Sequence, residues 1–78
     1  MKIYSIRDRH TGFMTPMADT NDNTAIRNFH YALQQNNTFH TSPGDFDLYC
    51  VGEFDPDTGE LTGSLPRVVA TGIEVIKL

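Results

Sequence analysis

The clearest hydrophobic pattern in the chain lies between residues 24 and 35 and has the period of an α-helix. Its apolar positions share one face, and they are Ala25, Ile26, Phe29, Ala32 and Leu33. The opposite side is polar and carries Asn28, Tyr31 and Gln35, with Arg27 and Gln34 beside them. Residues 19–23 precede this pattern with short polar side chains that can accept the free N–H groups of a first turn. The sequence therefore predicts an amphipathic helix over residues 24–35.

We expect this helix to end at Asn36 and Asn37, because asparagine tolerates the left-handed backbone of a C-cap. Before it, residues 2–7 are rich in β-branched and aromatic side chains and predict a strand. A turn at residues 9–12 and a second extended piece at residues 13–18 follow. Pro16 has no N–H to donate, so this second piece should be an edge strand or irregular.

The second half of the chain predicts a β-hairpin. Residues 38–45 form a loop around the turn dipeptide Pro43-Gly44. Residues 46–54 then alternate between two faces, with Phe46, Leu48, Cys50 and Phe54 on one and Asp47, Tyr49, Val51 and Glu53 on the other. Residues 55–59 have turn chemistry, since proline presets φ and glycine accepts positive φ. A return strand should begin at residues 60–62, break at residues 63–66, and continue as one or two extended pieces over residues 67–78.

Together these elements predict an α+β fold, a small antiparallel sheet of three to five strands with one helix packed on one face. Apolar side chains then remain on the other face of the sheet, among them Tyr49 and Val51. In the final extended piece, Ile73 and Val75 should point one way and Ile76 and Leu78 the other. Either a homodimer interface covers this apolar surface, or residues 13–17 and the loop at Leu65 fold over it.

Length and composition narrow the class of protein. The 78 residues allow one domain, residues 1–78, whose core is small enough that oligomerisation is a reasonable expectation. No apolar run approaches the ~20 residues of a membrane span. Charged residues interrupt the first apolar stretch at Arg7, so a signal peptide is not expected. With a single cysteine, a disulfide framework is excluded, which favours a reducing compartment such as the cytoplasm.

The net charge of −4 argues against a general polyanion-binding protein. Its distribution is uneven, because residues 28–66 contain no Lys or Arg and six acidic residues, namely Asp45, Asp47, Glu53, Asp55, Asp57 and Glu60. The molecule is therefore either polarised, with a mildly basic end and an acidic end, or covered by scattered surface charge.

Candidate metal and catalytic motifs are weak. Asp55, Asp57 and Gly59 resemble the start of a calcium loop but lack its bidentate glutamate, and a hairpin turn explains them better. His10, His30, His40 and Cys50 lie too far apart in the chain for a structural zinc site. No nucleophile motif or phosphate loop is present, and so short a chain struggles to enclose a ligand pocket of about 300 Å³. We therefore expect neither an enzyme nor a cofactor.

The remaining candidate chemistry lies on the outer face of the predicted helix. Arg27 and Tyr31 are four residues apart and so neighbours, which places a guanidinium beside an aromatic ring. Single-stranded nucleic acid is bound in this way, with bases on the ring and phosphate on the arginine. Lys2, Arg7, Arg9, His10 and Arg67 could extend such a surface. Alternatively, Tyr31 merely covers the helix and Arg27 pairs with Asp19 or Asp22.

Several short segments, in order, resemble the small nonstructural protein of gokushoviruses, the fifth-open-reading-frame protein of these single-stranded DNA phages. They span most of residues 2–59 and are Lys2-Ile3-Tyr4-Ser5-Ile6-Arg7-Asp8, Ala25-Ile26-Arg27-Asn28-Phe29, Pro43-Gly44-Asp45-Phe46-Asp47-Leu48 and Gly52-Glu53-Phe54-Asp55-Pro56-Asp57-Thr58-Gly59. The resemblance implies a viral protein of the infected host cytoplasm that is absent from the capsid. It also implies a part in genome replication, at the switch toward single-stranded DNA synthesis and packaging.

Two functional hypotheses follow. In the first, a non-enzymatic homodimer binds single-stranded DNA through Lys2, Arg7, Arg9, Arg27, Tyr31 and Arg67. In the second, the chain is a protein-interaction module that binds the viral replication protein, the procapsid or a host factor without touching DNA. That module would use the acidic hairpin of residues 45–60 or an exposed sheet edge.

Overall fold

A computed structural model describes residues 1–76 as a five-stranded antiparallel sheet with helices, which confirms the predicted α+β class. The strands are β1 (Lys2–Asp8), β2 (Gly12–Phe13), β3 (Met17–Asp19), β4 (Phe46–Phe54) and β5 (Leu61–Thr71). The helices are α1 (Asp22–Gln35), α2 (Asn37–Thr41) and α3 (Gly72–Ile76), and a 3₁₀ turn spans Pro43–Asp45.

The strands are ordered β2-β1-β4-β5, and β3 pairs with the same edge of β1 as β2. Residues 13–18 are thus two short edge strands, and Pro16 lies between them, where no ladder hydrogen bond is required of it. Strand β4 is central and pairs with β1 along most of its length, from Lys2 opposite Glu53 to Asp8 opposite Phe46.

Helix α1 packs on one face of the sheet, as its pattern predicts. Asn21 caps it and forms a capping box with Thr24. The buried core includes three α1 residues, Ala25, Phe29 and Leu33, together with Tyr4, Phe39, Phe46, Leu48, Cys50 and Val75. The remaining two predicted core positions of the helix, Ile26 and Ala32, are partly buried against this cluster.

The predicted reason for the end of α1 is wrong. Asn36 is extended, with φ −105° and ψ 121°, and not left-handed. Its side-chain oxygen accepts hydrogen bonds from the N–H groups of Thr38 and Phe39, so it caps a second helix. Residues 38–45 therefore hold α2 and the 3₁₀ turn in place of the predicted loop, and Phe39 of α2 packs on Phe46 with ring centroids 4.3 Å apart.

The second half of the hairpin also differs from the prediction. Strand β4 has the predicted bounds, and Gly59 adopts the positive φ of 80° expected in the turn. The prediction that Phe54 shares a face with Cys50 is wrong. The extra residue Val51, between the pairs Tyr4–Cys50 and Ile3–Gly52, reverses the alternation, so Phe54 faces away from α1 and Glu53 towards it. Strand β5, however, continues through residues 63–66, and residues 64–66 form a bulge opposite Val51 between the pairs Gly52–Gly63 and Cys50–Arg67.

The last predicted strand is wrong as well, because residues 72–76 form the short helix α3. Its side chains follow a helical spacing, so Val75 is buried and Ile73 is exposed, and the two do not share a strand face. The prediction for Leu78 lies outside the described residues.

Candidate nucleic-acid interface

The exposed side of α1 carries the predicted arginine–tyrosine pair. Arg27, Tyr31 and Gln34 are all exposed and point away from the sheet, because the buried residues of α1 occupy the other side of the helix. Tyr31 is 64% exposed, which leaves most of its ring free for stacking. The helix thus presents a guanidinium and an aromatic ring one turn apart, as predicted.

Arg27 does not form the ion pair that was the alternative explanation. Within residues 1–76 no carboxylate lies within 4.0 Å of its guanidinium. Asp19 accepts hydrogen bonds from the Thr24 hydroxyl at 2.5 Å and the Asn28 amide at 2.8 Å. The hydrogen bond from Thr24 lowers the pKa of the Asp19 carboxyl most, and the bond from Asn28 lowers it less. The more distant charge of Arg27 lowers this pKa further. Since Asp22 has other partners too, Arg27 stays available to a phosphate.

Arg67 is held by the start of α1. Its guanidinium donates to both oxygens of Asp22, at 3.3–3.4 Å, and the buried Tyr4 hydroxyl donates to the same carboxylate at 2.6 Å. The Tyr4 hydrogen bond and then Arg67 lower the pKa of Asp22, while burial and the nearby carboxylate raise the pKa of Tyr4. Lys2 alternates along β1 to the same side as Tyr4, and Arg67 pairs with Cys50, so both lie on the helix side of the sheet. The charge of Lys2 also lowers the pKa of Asp22. Much of Arg67's charge is neutralised there.

Arg9 is committed to a buried carboxylate. Its guanidinium contacts Asp47 Oδ2 at 3.1 Å, and Asp47 is only 5% exposed. The neighbouring His10 imidazole contacts Asp45 at 3.2 Å. Two of the predicted basic contacts are therefore matched by acids of the 45–47 segment, and they contribute little free positive charge.

Arg7 lies on the opposite face of the sheet from α1. Alternation along β1 places Tyr4 and Ile6 toward the helix and Arg7 away from it. Its guanidinium sits 5.9 Å from the centroid of the Phe13 ring, which in turn packs edge-on against Tyr49 at 5.3 Å. Phe13 and Tyr49 were not predicted as site residues, because only the register of β2 on β1 brings them beside Arg7.

The six predicted contact residues are thus divided between two sides of the molecule. Lys2, Arg27, Tyr31 and Arg67 lie on the helix side, and Arg7 and Arg9 lie on the other. Arg7, Arg27 and Tyr31 are exposed and have no acidic partner in residues 1–76, and of these three Arg27 and Tyr31 share one side of the molecule. A single continuous basic track joining all six is not formed.

A cavity of about 330 Å³ lies between α1 and residues 14–19, and it corrects the expectation that so short a chain encloses no space of this size. Its lining is mostly apolar and includes Ile6, Met14, Met17, Phe29 and Leu48. In the described part of the chain no group of three or more His, Cys, Asp or Glu side chains is arranged to hold a metal ion. No helix among residues 1–76 is long and apolar enough to span a membrane.

Comparison with known proteins gives one family. The family model described as Phage ORF5 protein matches residues 1–75, which is nearly the whole chain. Neither the curated proteins nor the solved structures give a match.

Proposed function

The chain belongs to the phage ORF5 protein family, and from this premise we propose that it binds single-stranded DNA during phage genome replication and packaging. The proposal describes a non-enzymatic, gokushovirus-type nonstructural protein that acts in the host cytoplasm. The observation that carries it is the exposed Arg27–Tyr31 pair on α1, in which the arginine has no carboxylate within 4.0 Å in residues 1–76.

The chemistry of this pair suits a single strand better than a duplex. A base can stack on the free Tyr31 ring while the adjacent guanidinium holds a phosphate, and each stacked base contributes about 1–3 kcal/mol. A duplex keeps its bases stacked and is bound mainly through its phosphates, for which a chain of net charge −4 is poorly suited. Stacking thus supplies affinity that the overall charge does not.

The test is a fluorescence-anisotropy titration of the protein with labelled oligo-dT at low and at physiological salt. We expect binding that weakens with salt, a loss of about 5- to 150-fold in Tyr31→Ala, and near wild-type affinity in Tyr31→Phe, which keeps the ring. Arg27→Ala should weaken binding and flatten the salt dependence by about 0.7 in the logarithmic slope. Gln35→Ala, another exposed α1 position, is the control.

The design separates two failures. Absence of binding by the wild-type protein at low salt overturns the function. Binding that Arg27→Ala and Tyr31→Ala leave unchanged retains the function but overturns this surface as its site. Helical content from circular dichroism, measured on each variant, shows that lost affinity is not lost fold.

A second candidate function rests on the β4–β5 hairpin. Its turn and strand ends carry Glu53, Asp55, Asp57 and Glu60, all exposed, and residues 28–66 hold no basic residue to balance them. An uncompensated acidic projection favours a basic protein partner, such as the viral replication protein, the capsid precursor or a host factor. Pull-down from infected cells after nuclease treatment tests this function. Asp57→Lys with Glu60→Lys should abolish capture, whereas Asp55 is left intact because its carboxylate caps the turn.

A further inference from the structure

The side of the sheet that faces away from α1 is a second apolar surface. The helix is contacted by the side chains of Tyr4, Ile6, Leu48 and Cys50. The residues that alternate with these along β1 and β4 therefore face the other way, and so do the residues paired with them on the adjacent strands. We call this surface the open sheet face, and it is formed by Ile3, Phe13, Tyr49, Phe54, Leu61 and Val68. Leu65, in the bulge of β5, is 91% exposed.

The open sheet face is covered only at one end. The Phe13 ring packs on Tyr49, but Met14, Thr15 and Met17 line the cavity beside α1, so of residues 13–17 it is Phe13 that covers part of this side. Phe13, Leu61, Leu65 and Val68 nevertheless remain exposed, which rules out the Leu65 loop as a cover. An apolar surface extending across four strands is typical of a protein interface.

We infer that a second copy of this chain packs on the open sheet face, sheet against sheet. At about 3.3 Å per residue, and with strands about 4.8 Å apart, the 32 residues of the five strands give a face of roughly 510 Å². Two copies therefore bury roughly 1,000 Å², which is about the area that a specific interface requires. Aligned packing of two sheets is a standard arrangement of this kind.

The exposed charges of the open sheet face lie near one end of it. Asp47 on this side is buried against Arg9, so two chains of net charge −4 meet through a face whose exposed charges are Arg7 and Arg9, the latter paired with Asp47. Leu65 is exposed, and an added Cβ at Gly63 would meet no atom within 4 Å, so this part of β5 is open to a second copy.

Packing through the face is favoured over pairing through the edge of β5. Pro66 lacks an N–H, and residues 64–66 bulge out of register. Both features interrupt the row of backbone groups that a neighbouring strand would need to extend the ladder. The occupant of the open sheet face thus stacks upon the sheet and does not lengthen it.

Leu61 and Thr62 provide a matched test, since both are exposed neighbours in β5 but lie on opposite sides of the sheet. Light scattering should give the wild-type protein twice the 8.8 kDa chain mass, with dissociation on dilution. Leu61→Asp and Val68→Asp should shift the mass to 8.8 kDa, whereas Thr62→Asp, which adds the same charge, should remain dimeric. Circular dichroism verifies that the variants stay folded.

Three outcomes overturn the inference. The first is a wild-type chain that stays monomeric at several hundred micromolar. The second is a dimer that Leu61→Asp and Val68→Asp leave intact, or that Thr62→Asp disrupts as strongly. The third is a monomer whose oligo-dT binding is lost in Leu61→Asp, which would assign the open sheet face to DNA. The first two outcomes leave the proposed DNA contact at Arg27 and Tyr31 unaffected, because that pair lies on the other side of the molecule.

Discussion

Tyr4→Phe is the substitution that most directly tests the contacts joining the sheet to the start of α1. The Tyr4 hydroxyl on β1 donates to Asp22 of α1 at 2.6 Å, and Asp22 also binds Arg67 of β5. Phenylalanine keeps the buried ring and removes only the hydroxyl. Its effect therefore isolates one hydrogen bond to a charged acceptor.

The expected loss of stability is about 1–1.5 kcal/mol. Hydrogen bonds to charged groups contribute about 1.5–3 kcal/mol. The lower end applies because the Asp22 side chain is 36% exposed, so water and Arg67 partly replace the lost donor. In a domain of this size, 1 kcal/mol corresponds to about 4–8 °C in Tm.

The difference between wild type and Tyr4→Phe should depend on pH in a defined direction. The folded pKa of Asp22 is depressed, so its contribution is complete above the unfolded value of about 3.9 and is lost as pH falls through the folded pKa. The pKa of Tyr4 is raised, so its contribution is complete below about 10 and is lost at higher pH. The two proteins should therefore differ by a constant amount between pH 5 and 9, and the difference should shrink as the pH falls below 4 through the depressed pKa of Asp22.

Thermal melts followed by circular dichroism from pH 2 to 9 measure this difference. Tyr31→Phe, which removes an exposed hydroxyl from the same helix, should change Tm by less than about 2 °C, since exposed positions usually contribute within about 0.5 kcal/mol. Equal Tm values for wild type and Tyr4→Phe at pH 7 would refute the reasoning. So would a difference that persists unchanged at pH 2.

Two further predictions concern the sheet. Gly52→Ala should cost about 1–3 kcal/mol, because its Cβ would collide with the Thr62 carbonyl oxygen, while Gly63→Ala on the paired strand should be neutral or stabilising by up to about 1 kcal/mol. Urea unfolding compares them, and equal effects contradict the close approach at Gly52. Arg9→Met should lower the free energy of unfolding by about 2 kcal/mol, because it leaves the carboxylate of Asp47 buried without a cation. Removing one partner of a fully buried pair costs about 3–5 kcal/mol, and the smaller value applies here because the arginine is half exposed. A loss below about 0.5 kcal/mol in the same assay argues against this pair.

Local patterns explain which elements the sequence could predict. The α1 helix shows its 3.6-residue period over several turns, and β4 alternates from Phe46 to Cys50, so both are determined by nearby residues. The switch of faces at Val51 depends on pairing with β1 and β5, which the local pattern does not show. The sequence did not predict β5 as one continuous strand, because residues such as Gly63 and Pro66 usually end a strand. Pairing with β4 on both sides of the bulge keeps these residues within β5. Helices α2 and α3 have five residues each, too few for a periodic signal, and α2 depends on the cap at Asn36.

The candidate site was predictable only where it lies within one element. The Arg27–Tyr31 spacing follows from helix geometry alone, but the freedom of Arg27 depends on which partners Asp19 and Asp22 choose. Those partners come from β1, β5 and the helix itself. Arg7 and Phe13 meet through strand register, which the hydrophobic pattern leaves undetermined until the turn between them is known.

The pairing of β1 with β4 also determines the order in which the chain folds. The hairpin between β4 and β5 closes a loop of about six residues, whereas Lys2 meets Glu53 only after a loop of about fifty closes. By the logarithmic dependence of loop entropy on length, the second closure costs roughly 2 kcal/mol more. The hairpin is therefore expected to form early and β1 to dock late. During translation β4 is available to β1 only after residue 54 has left the ribosome, so for most of its synthesis β1 can pair only with the short strands β2 and β3.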